Sequence, residues 1–271
     1  MFIVKVPGIN GLGKTKGCEK AGNEILKILK EEISSNEAGK SIEINKLDLE
    51  EIHLDNSNLE TANKLIYQNS LEIFESKLKT IFLGGDHSIS YSLIMGFLEH
   101  CKSQKKEPCL IVFDAHPDCM PVTKGCEKYP NHEEWLRNLI EQGFPAKNIL
   151  LVGVRNSDIA ESDFLREKNI RLISMNQLLE NIVDMCEIIM EFSDKKELYL
   201  SLDIDIVDPA FAIGTGYKES GGLTSREFIY LIQRINKIKN LRAVDLVEIN
   251  PLKDKDNLTV KLGAKILAEL L

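Results

Sequence analysis

The sequence lacks the features of membrane proteins and of nucleic-acid-binding proteins. Its longest apolar runs, such as residues 148–154, fall far short of the roughly 18–20 residues that a membrane span needs. Positive charge is in deficit, because 34 Lys and Arg residues face 42 Asp and Glu residues, which gives a formal net charge of −8. This balance argues against a nucleic-acid partner and favours small cationic ligands. We therefore expect neither a membrane nor a nucleic acid as partner.

The sequence also shows no disulfide framework, linker or signal segment. Its six cysteines are irregularly spaced in a chain too long to depend on disulfide bonds, and no signal peptide precedes them, so we predict a reduced, cytoplasmic location. Only 8 prolines are present, and no segment has a biased composition that would mark a domain boundary. With 43% hydrophobic and 28% charged residues, the composition is typical of a folded chain. We predict one domain spanning residues 1–271.

Short β-type runs alternate with amphipathic helical stretches along the chain. In the helical stretches, apolar residues recur three and four positions apart, as Ile25, Ile28 and Leu29 do. The predicted strands are residues 2–6, 41–47, 80–83, 109–113, 148–154, 170–174, 197–203 and 240–248. The predicted helices include residues 18–34, 57–77, 89–103, 133–142, 175–192, 225–237 and 254–271.

Several predicted strands are apolar at every position, residues 109–113 and 149–152 among them. A strand of this kind is buried on both faces, which is typical of a parallel sheet covered by helices. The repeated order of strand and helix adds right-handed crossovers between neighbouring strands. The sequence therefore predicts an α/β protein, a three-layer αβα sandwich with a central parallel sheet of about eight strands.

Four of the predicted strands end in polar clusters. These clusters are Gly84–Ser88 (GGDHS), Asp114–Asp118 (DAHPD), Ser201–Asp205 (SLDID) and Asp245–Pro251 (DLVEINP). In open parallel sheets, ligands bind beyond the carboxyl ends of the strands. Because alternate residues of an extended segment point to the same side, the acidic and histidine side chains of each cluster can converge. We expect a functional site at this edge of the sheet.

The converging side chains are of the types that bind a divalent metal ion. Buried carboxylates and imidazoles repel or desolvate one another unless a cation lies between them. Carboxylates mixed with imidazoles suit a hard or borderline ion such as Mn²⁺, and six candidates suit two ions that share bridging carboxylates and activate a water. Any one motif could instead be a helix cap, a solvated turn or a phosphate-binding turn, so the prediction depends on their coincidence. The candidate ligands are His87, Asp114, His116, Asp118, Asp203 and Asp205.

With these motifs the sequence resembles the ureohydrolases, the arginase and agmatinase family of binuclear manganese enzymes. The resemblance rests on Gly-Gly-Asp-His-Ser at residues 84–88, Asp-Ala-His-x-Asp at residues 114–118 and Ser-x-Asp-x-Asp-x-x-Asp-Pro at residues 201–209. Residues 211–216 and 221–227 are also similar to the family, so the resemblance spans nearly the whole chain. It implies a single αβα domain with an eight-stranded parallel sheet.

The resemblance also implies roles for individual residues. The six candidate ligands match the positions that bind two Mn²⁺ ions in the family. Glu248 matches the carboxylate that holds the substrate guanidinium, and Asp158 matches the acid that contacts the amine end of the substrate. Asp118 or another ligand carboxylate would pass a proton to the departing amine, and His132 would resupply that proton from solvent. The implied products are urea and a primary amine, and the implied assembly is a homo-oligomer, a trimer or a hexamer.

Two departures from the family pattern bear on the role of His132 and on the choice of substrate. Glu133 stands where family members usually have a glycine, so His132 could alternatively be a surface residue that opens a helix. Met120 stands where arginases commonly place an asparagine that binds the α-carboxylate of arginine. This favours a small cationic guanidino substrate without that carboxylate, agmatine, which would give putrescine and urea. Hydrolysis of arginine, hydrolysis of formimidoylglutamate and a metal-binding member without turnover stay open.

Overall fold

The computed structural model describes residues 1–271 and contains one sheet of eight strands. The strands are β1 (Phe2–Val6), β2 (Asp48–Glu51), β3 (Thr80–Gly84), β4 (Pro108–Phe113), β5 (Ile149–Val154), β6 (Arg171–Ser174), β7 (Glu197–Asp203) and β8 (Leu241–Val247). All of the strand pairs are parallel, and the strand order is β2-β1-β3-β8-β7-β4-β5-β6. The predicted central parallel sheet is therefore confirmed.

Helices cover both faces of the sheet. They are α1 (Ala21–Glu32), α2 (Leu59–Ser76), α3 (Ser88–Ser103), α4 (Trp135–Glu141), α5 (Ile159–Lys168), α6 (Met175–Glu180), α7 (Ile182–Phe192), α8 (Ser225–Ile235) and α9 (Leu258–Leu270). Buried side chains of α2 to α5 belong to one apolar cluster, and those of α1 and α6 to α9 belong to another. Within β4, Leu110 and Val112 belong to the first cluster and Ile111 and Phe113 to the second, as strand alternation requires. This is the predicted three-layer αβα sandwich.

Two predicted elements differ from the observed ones, and one observed helix has no predicted counterpart. The predicted strand at residues 41–47 is wrong, because that segment contains a short 3-10 helix (Ile44–Lys46) and the strand follows it as β2. The predicted helix at residues 175–192 is two helices, α6 and α7, which meet at Asn181, whose side chain accepts a hydrogen bond from the Asp184 N–H. Helix α5 had no counterpart among the predicted helices, since it buries few apolar side chains.

The strand order places the four polar clusters side by side. Strands β3, β8, β7 and β4 are consecutive neighbours in the centre of the sheet, although they are far apart in the chain. Because all of the strands are parallel, their carboxyl ends lie at one edge and open into one crevice. None of the helices combines the length and the apolar composition that a membrane-spanning helix needs.

Candidate metal centre and substrate cavity

The segment Gly84–Ser88 places His87 at the start of α3, and its two glycines make that placement possible. A Cβ atom on Gly85 would lie 1.9 Å from the carbonyl oxygen of Gly8, so only glycine allows the two segments to approach so closely. The Asp86 carboxylate fixes the turn by accepting hydrogen bonds from the Thr15 hydroxyl at 2.7 Å and from the Asn10 N–H at 2.6 Å. Asp86 thus stabilises the loop through hydrogen bonds, whereas His87 faces the crevice.

A first group of candidate ligands surrounds His87. Its Nδ1 atom lies 3.0 Å from Oδ2 of Asp114, 3.0 Å from Oδ2 of Asp118 and 3.2 Å from Oδ2 of Asp203. All four residues are buried. Three separate strand ends therefore bring their side chains to one point, as the sequence predicts.

A second group lies beside the first and shares Asp114 with it. His116 Nδ1 lies 2.9 Å from Oδ2 of Asp205 and 3.6 Å from Oδ1 of Asp114. The two oxygens of Asp114 therefore face different groups, which suits a carboxylate that bridges two ions. Both groups have the donor types and spacing that can hold a metal ion.

The hydrogen bonding of the first group fits an ion. Nδ1 of His87 and Oδ2 of Asp114 are buried, and although they are 3.0 Å apart neither has a hydrogen-bond partner. On the other side of the ring, Nε2 of His87 lies 2.9 Å from Oγ of Ser201, and that hydroxyl donates to Asp245 at 2.7 Å. With the proton on Nε2, the lone pair of Nδ1 points toward the three carboxylates, as a metal ligand requires.

The charges in these groups are costly without a cation. Burial raises the pKa of Asp203 well above its ordinary value, and the negative charges of Asp205 and Asp114 raise it further. Although burial lowers the pKa of His87, the three surrounding carboxylates raise it well above its ordinary value. Raised pKa values mean that Asp203 and His87 retain protons when no metal is bound. Divalent ions would replace these protons and neutralise the carboxylates. The residues present therefore fit a pair of divalent cations.

The polar residues behind His87 had no predicted role. Asp245 is fully buried and accepts hydrogen bonds from Ser90 at 2.7 Å, from Tyr199 at 2.9 Å and from Ser201 at 2.7 Å. A buried carboxylate with three hydroxyl donors holds Ser201, and Ser201 in turn holds the His87 ring. The polar residues Ser201 and Asp245 within apolar strands were the signal available in the sequence.

Glu248 follows β8 and lies beside the two groups of candidate ligands. Its backbone has a φ of 64°, a left-handed conformation that few residues other than glycine adopt. The backbone N–H of His87 donates to its Oε1 at 2.9 Å, and its own N–H donates to the Gly85 carbonyl at 2.9 Å. Burial and the charge of Asp86 raise the pKa of Glu248 well above its ordinary value. A bound cation would reverse that effect, so this carboxylate is suited to hold one.

His132 is buried rather than a surface residue, in contrast to the alternative that the sequence left open. Its Nδ1 lies 3.9 Å from Oε1 of Glu248, and its Nε2 lies 3.9 Å from Oε1 of Glu133 and has no hydrogen-bond partner. Its ring centroid is 5.3 Å from that of Tyr217, whose hydroxyl donates to Glu133 at 2.7 Å. Glu133, in the position where the family usually has glycine, thus belongs to the cavity wall together with Tyr217.

Asp158 lies at the rim and is exposed. It caps α5 by accepting a hydrogen bond from the Ala160 N–H at 2.8 Å, and its own N–H donates to Glu161 at 2.9 Å. The other oxygen of Glu161 accepts the Cys119 N–H at 2.9 Å. Burial raises the pKa of Glu161 to about 7. The structure thus places Asp158 near the metal groups but not among them.

These residues enclose a cavity of about 340 Å³. No lysine or arginine lines it, and the guanidinium of nearby Arg155 is bound to the backbone carbonyls of Asp205 and Glu219, each at 2.7 Å. Glu219 had no predicted role, and its Oε1 lies 3.4 Å from Nε2 of His116. The lining residues are His116, Asp118, Met120, His132, Glu133, Asn156, Ser157, Asp158, Glu161, Asp203, Asp205, Thr215, Tyr217 and Glu248.

Comparison with known proteins identifies the family. Residues 1–271 match the arginase family. An arginase of Schizosaccharomyces pombe is 30% identical over 234 residues, which are 78% of this chain and 69% of that protein. The proclavaminate amidinohydrolase of Streptomyces clavuligerus is 28% identical over 231 residues, which are 84% of this chain and 72% of that protein.

Solved structures show the same fold. The formimidoylglutamase of Bacillus subtilis superposes with a TM-score of 0.88 at 23% identity, covering 99% of this chain and 85% of that one. The agmatine ureohydrolase of Thermoplasma volcanium superposes with a TM-score of 0.83 at 24% identity, covering 99% of this chain and 87% of that one. The predicted ureohydrolase membership is confirmed: the chain belongs to the arginase family, whose members are metal-dependent hydrolases that act on guanidino compounds.

Proposed function

We propose that this protein is a binuclear manganese hydrolase that cleaves agmatine to putrescine and urea. The observation that carries the proposal is the convergence of six carboxylate and imidazole side chains beside a cavity that no lysine or arginine lines. His87, Asp114, Asp118 and Asp203 would hold one ion, and Asp114, His116, Asp203 and Asp205 the other. When bound, the ions would lower the pKa of water from 15.7 toward about 7 and so make it a nucleophile at neutral pH.

The chain's own carboxylates would bind and orient the guanidino group. Glu248 is buried, its Oε1 is fixed by the His87 N–H, and both oxygens of a carboxylate can pair with a planar guanidinium. Holding the planar cation against the metal groups fixes the position of its central carbon for attack by water. Glu248 thereby serves in both substrate binding and catalysis.

Two residues would move protons during the reaction. Asp118 lies in the first metal group and lines the cavity, so its carboxylate could pass a proton to the leaving amine. His132 has an unpartnered Nε2 in the same cavity and lies 3.9 Å from Glu248, so it could resupply that proton.

The cavity wall favours a substrate that is cationic at both ends. A free carboxylate on the substrate would find no lysine or arginine there, and Met120 offers it no hydrogen-bond donor. The acids Asp158, Glu133 and Glu161 line the cavity and suit an ammonium group at the distal end of the substrate. Agmatine has this charge pattern, whereas formimidoylglutamate carries two carboxylates.

Arginine is the second candidate substrate. The observation in its favour is the 30% identity to a protein named as an arginase over 78% of this chain. Its α-ammonium could meet the same acids as the amine of agmatine. Its α-carboxylate, however, would be left beside the same acidic wall.

A product assay distinguishes these candidates. Purified protein incubated with Mn²⁺ is supplied with agmatine, arginine, guanidinobutyrate and formimidoylglutamate in turn, and urea and formamide are quantified. We expect urea from agmatine, with kcat/KM at least about tenfold above that for arginine, which corresponds to about 1.4 kcal/mol of transition-state discrimination. Formamide release, or greater activity on arginine, would contradict the choice of agmatine. Two bound ions without any hydrolysis would indicate a binding protein.

We also propose a cytoplasmic homo-oligomer, a trimer or a hexamer, as the family resemblance implies. Light scattering coupled to size-exclusion chromatography at several protein concentrations measures the assembly directly. A measured mass of 30.6 kDa, that of a single chain, at every concentration would exclude the oligomer.

A further inference from the structure

Trp135 is the single tryptophan of the chain, and it lies against the first metal group. It is fully buried at the start of α4, and its indole Nε1 donates to Oδ2 of Asp118 at 2.7 Å. The centroid of its ring is 4.7 Å from that of His87. One side chain therefore contacts two of the candidate ligands.

The accepting oxygen is the one that faces the metal group. Oδ2 of Asp118 lies 3.0 Å from Nδ1 of His87 as well as 2.7 Å from the indole nitrogen. A carboxylate oxygen has two lone pairs, so the indole N–H occupies one and leaves the other for an ion. The hydrogen bond restrains the rotation of the carboxylate, because a rotation that moves both oxygens away would leave the buried indole N–H unpaired.

The backbone of Asp118 needs such support. Its φ of 51° is a left-handed conformation that is strained for a residue other than glycine. The segment around α4 holds this loop in place, since the Leu136 N–H donates to the Asp118 carbonyl at 3.2 Å and the Met120 N–H donates to the Glu133 carbonyl at 2.9 Å. Trp135 adds the side-chain bond to these backbone bonds.

We propose that Trp135 is a positioning residue of the metal centre, which holds Asp118 in its ligand conformation and fixes the ring of His87. Trp135 contacts Asp118 and His87 of the first group, and no hydrogen bond or ring contact joins it to His116 or Asp205 of the second. Its removal therefore weakens one of the two ions selectively. The inference rests on the metal centre of the proposed function and concerns ion binding, not turnover.

Titration of metal-stripped protein with Mn²⁺ tests the inference, with free Mn²⁺ followed by its electron paramagnetic resonance signal. For Trp135→Phe we expect one ion to bind about 10–100-fold more weakly, the usual effect of losing a hydrogen bond to a metal ligand, and the other to bind within about threefold of wild type. Phe144→Leu, which trims another buried aromatic of the same apolar cluster, is the matched control and should bind both ions normally.

A second substitution removes only the N–H group. Because the chain has one tryptophan, biosynthetic incorporation of benzothienylalanine replaces the indole N–H by sulfur at this single position. The same selective weakening is expected with the packing retained. In the wild type, paramagnetic Mn²⁺ should quench the Trp135 fluorescence as the first group fills.

The outcomes separate this inference from the function on which it rests. Unchanged affinity for both ions in Trp135→Phe and in the benzothienylalanine protein would overturn the inference alone. Equal weakening of both ions, matched by Phe144→Leu, would assign the effect to packing and would also overturn it. Wild-type protein that binds no Mn²⁺ would overturn the proposed function and this inference with it.

Discussion

Binding of divalent ions should stabilise the fold strongly, because the folded chain concentrates buried carboxylates at one point. Asp114, Asp203 and Asp205 are each no more than 4% exposed. An ion that binds only the folded state at 100 times its dissociation constant contributes about 2.7 kcal/mol, so two ions contribute about 5 kcal/mol. At roughly 2–4 °C per kcal/mol for a chain of about this size, Tm should rise by about 10–20 °C.

Differential scanning calorimetry of EDTA-stripped protein, with and without Mn²⁺, measures this shift. Because the ligands bind metal in their deprotonated forms, the shift should grow as the pH rises from about 5.5 to 8. Asp114→Asn removes the charge that both groups share, so its shift should be less than half that of the wild type. Asp194→Asn changes an exposed acid just before β7, at the opposite edge of the sheet, and should keep the full shift.

Two results would refute this reasoning. If stripped wild-type protein unfolds at the same temperature with and without saturating Mn²⁺, the clustered carboxylates are stabilised by protons and internal hydrogen bonds. If Asp114→Asn shows the full shift, the ions bind elsewhere on the protein. Either result would remove the electrostatic basis for the metal centre.

The cavity walls lead to three further expectations. Glu248→Gln should lower kcat/KM for urea release by on the order of 10²-fold, since it removes a buried charge that pairs with the guanidinium, while calorimetric titration shows unchanged Mn²⁺ affinity. Met120→Asn should raise kcat/KM for arginine about tenfold relative to agmatine, because a hydrogen bond to a carboxylate contributes about 1.5 kcal/mol. The folded pKa of Glu161, about 7, lies above the ordinary 4.5, so the folded state retains a proton that the unfolded state releases and loses stability as the pH rises through this window. Urea unfolding of Glu161→Gln should show a pH slope flatter by up to about 1.4 kcal/mol per pH unit between those values.

Each expectation has a contradicting result. Loss of Mn²⁺ binding in Glu248→Gln would mean that Glu248 acts on the metal centre rather than on the substrate. Met120→Leu is the matched control for Met120→Asn, and equal arginine use in both variants would remove this position from substrate selection. A wild-type pH slope in Glu161→Gln would assign the titration to another group.

Strands that are buried on both faces could be predicted with accurate bounds. The predicted strands at residues 2–6 and 197–203 coincide with β1 and β7, because most of their residues are apolar and nearly all are buried between the two helical layers. The prediction fails for β2, an edge strand with mostly exposed side chains that pairs only with β1. Such a strand needs no apolar pattern. The strand was instead predicted at residues 41–47, where isoleucines alternate with polar residues.

The sequence by itself determined the layered architecture, the family and the identity of the candidate ligand residues, since periodicity and motif spacing are local properties. The roles of those residues as ligands stay predictions. Tertiary structure alone decided which side chains support them. Trp135 meets Asp118 across 17 residues, Tyr217 meets Glu133 across 84, and Glu219 meets His116 across 103. Such contacts depend on strand order and on the paths of loops over the crevice, which no local pattern encodes.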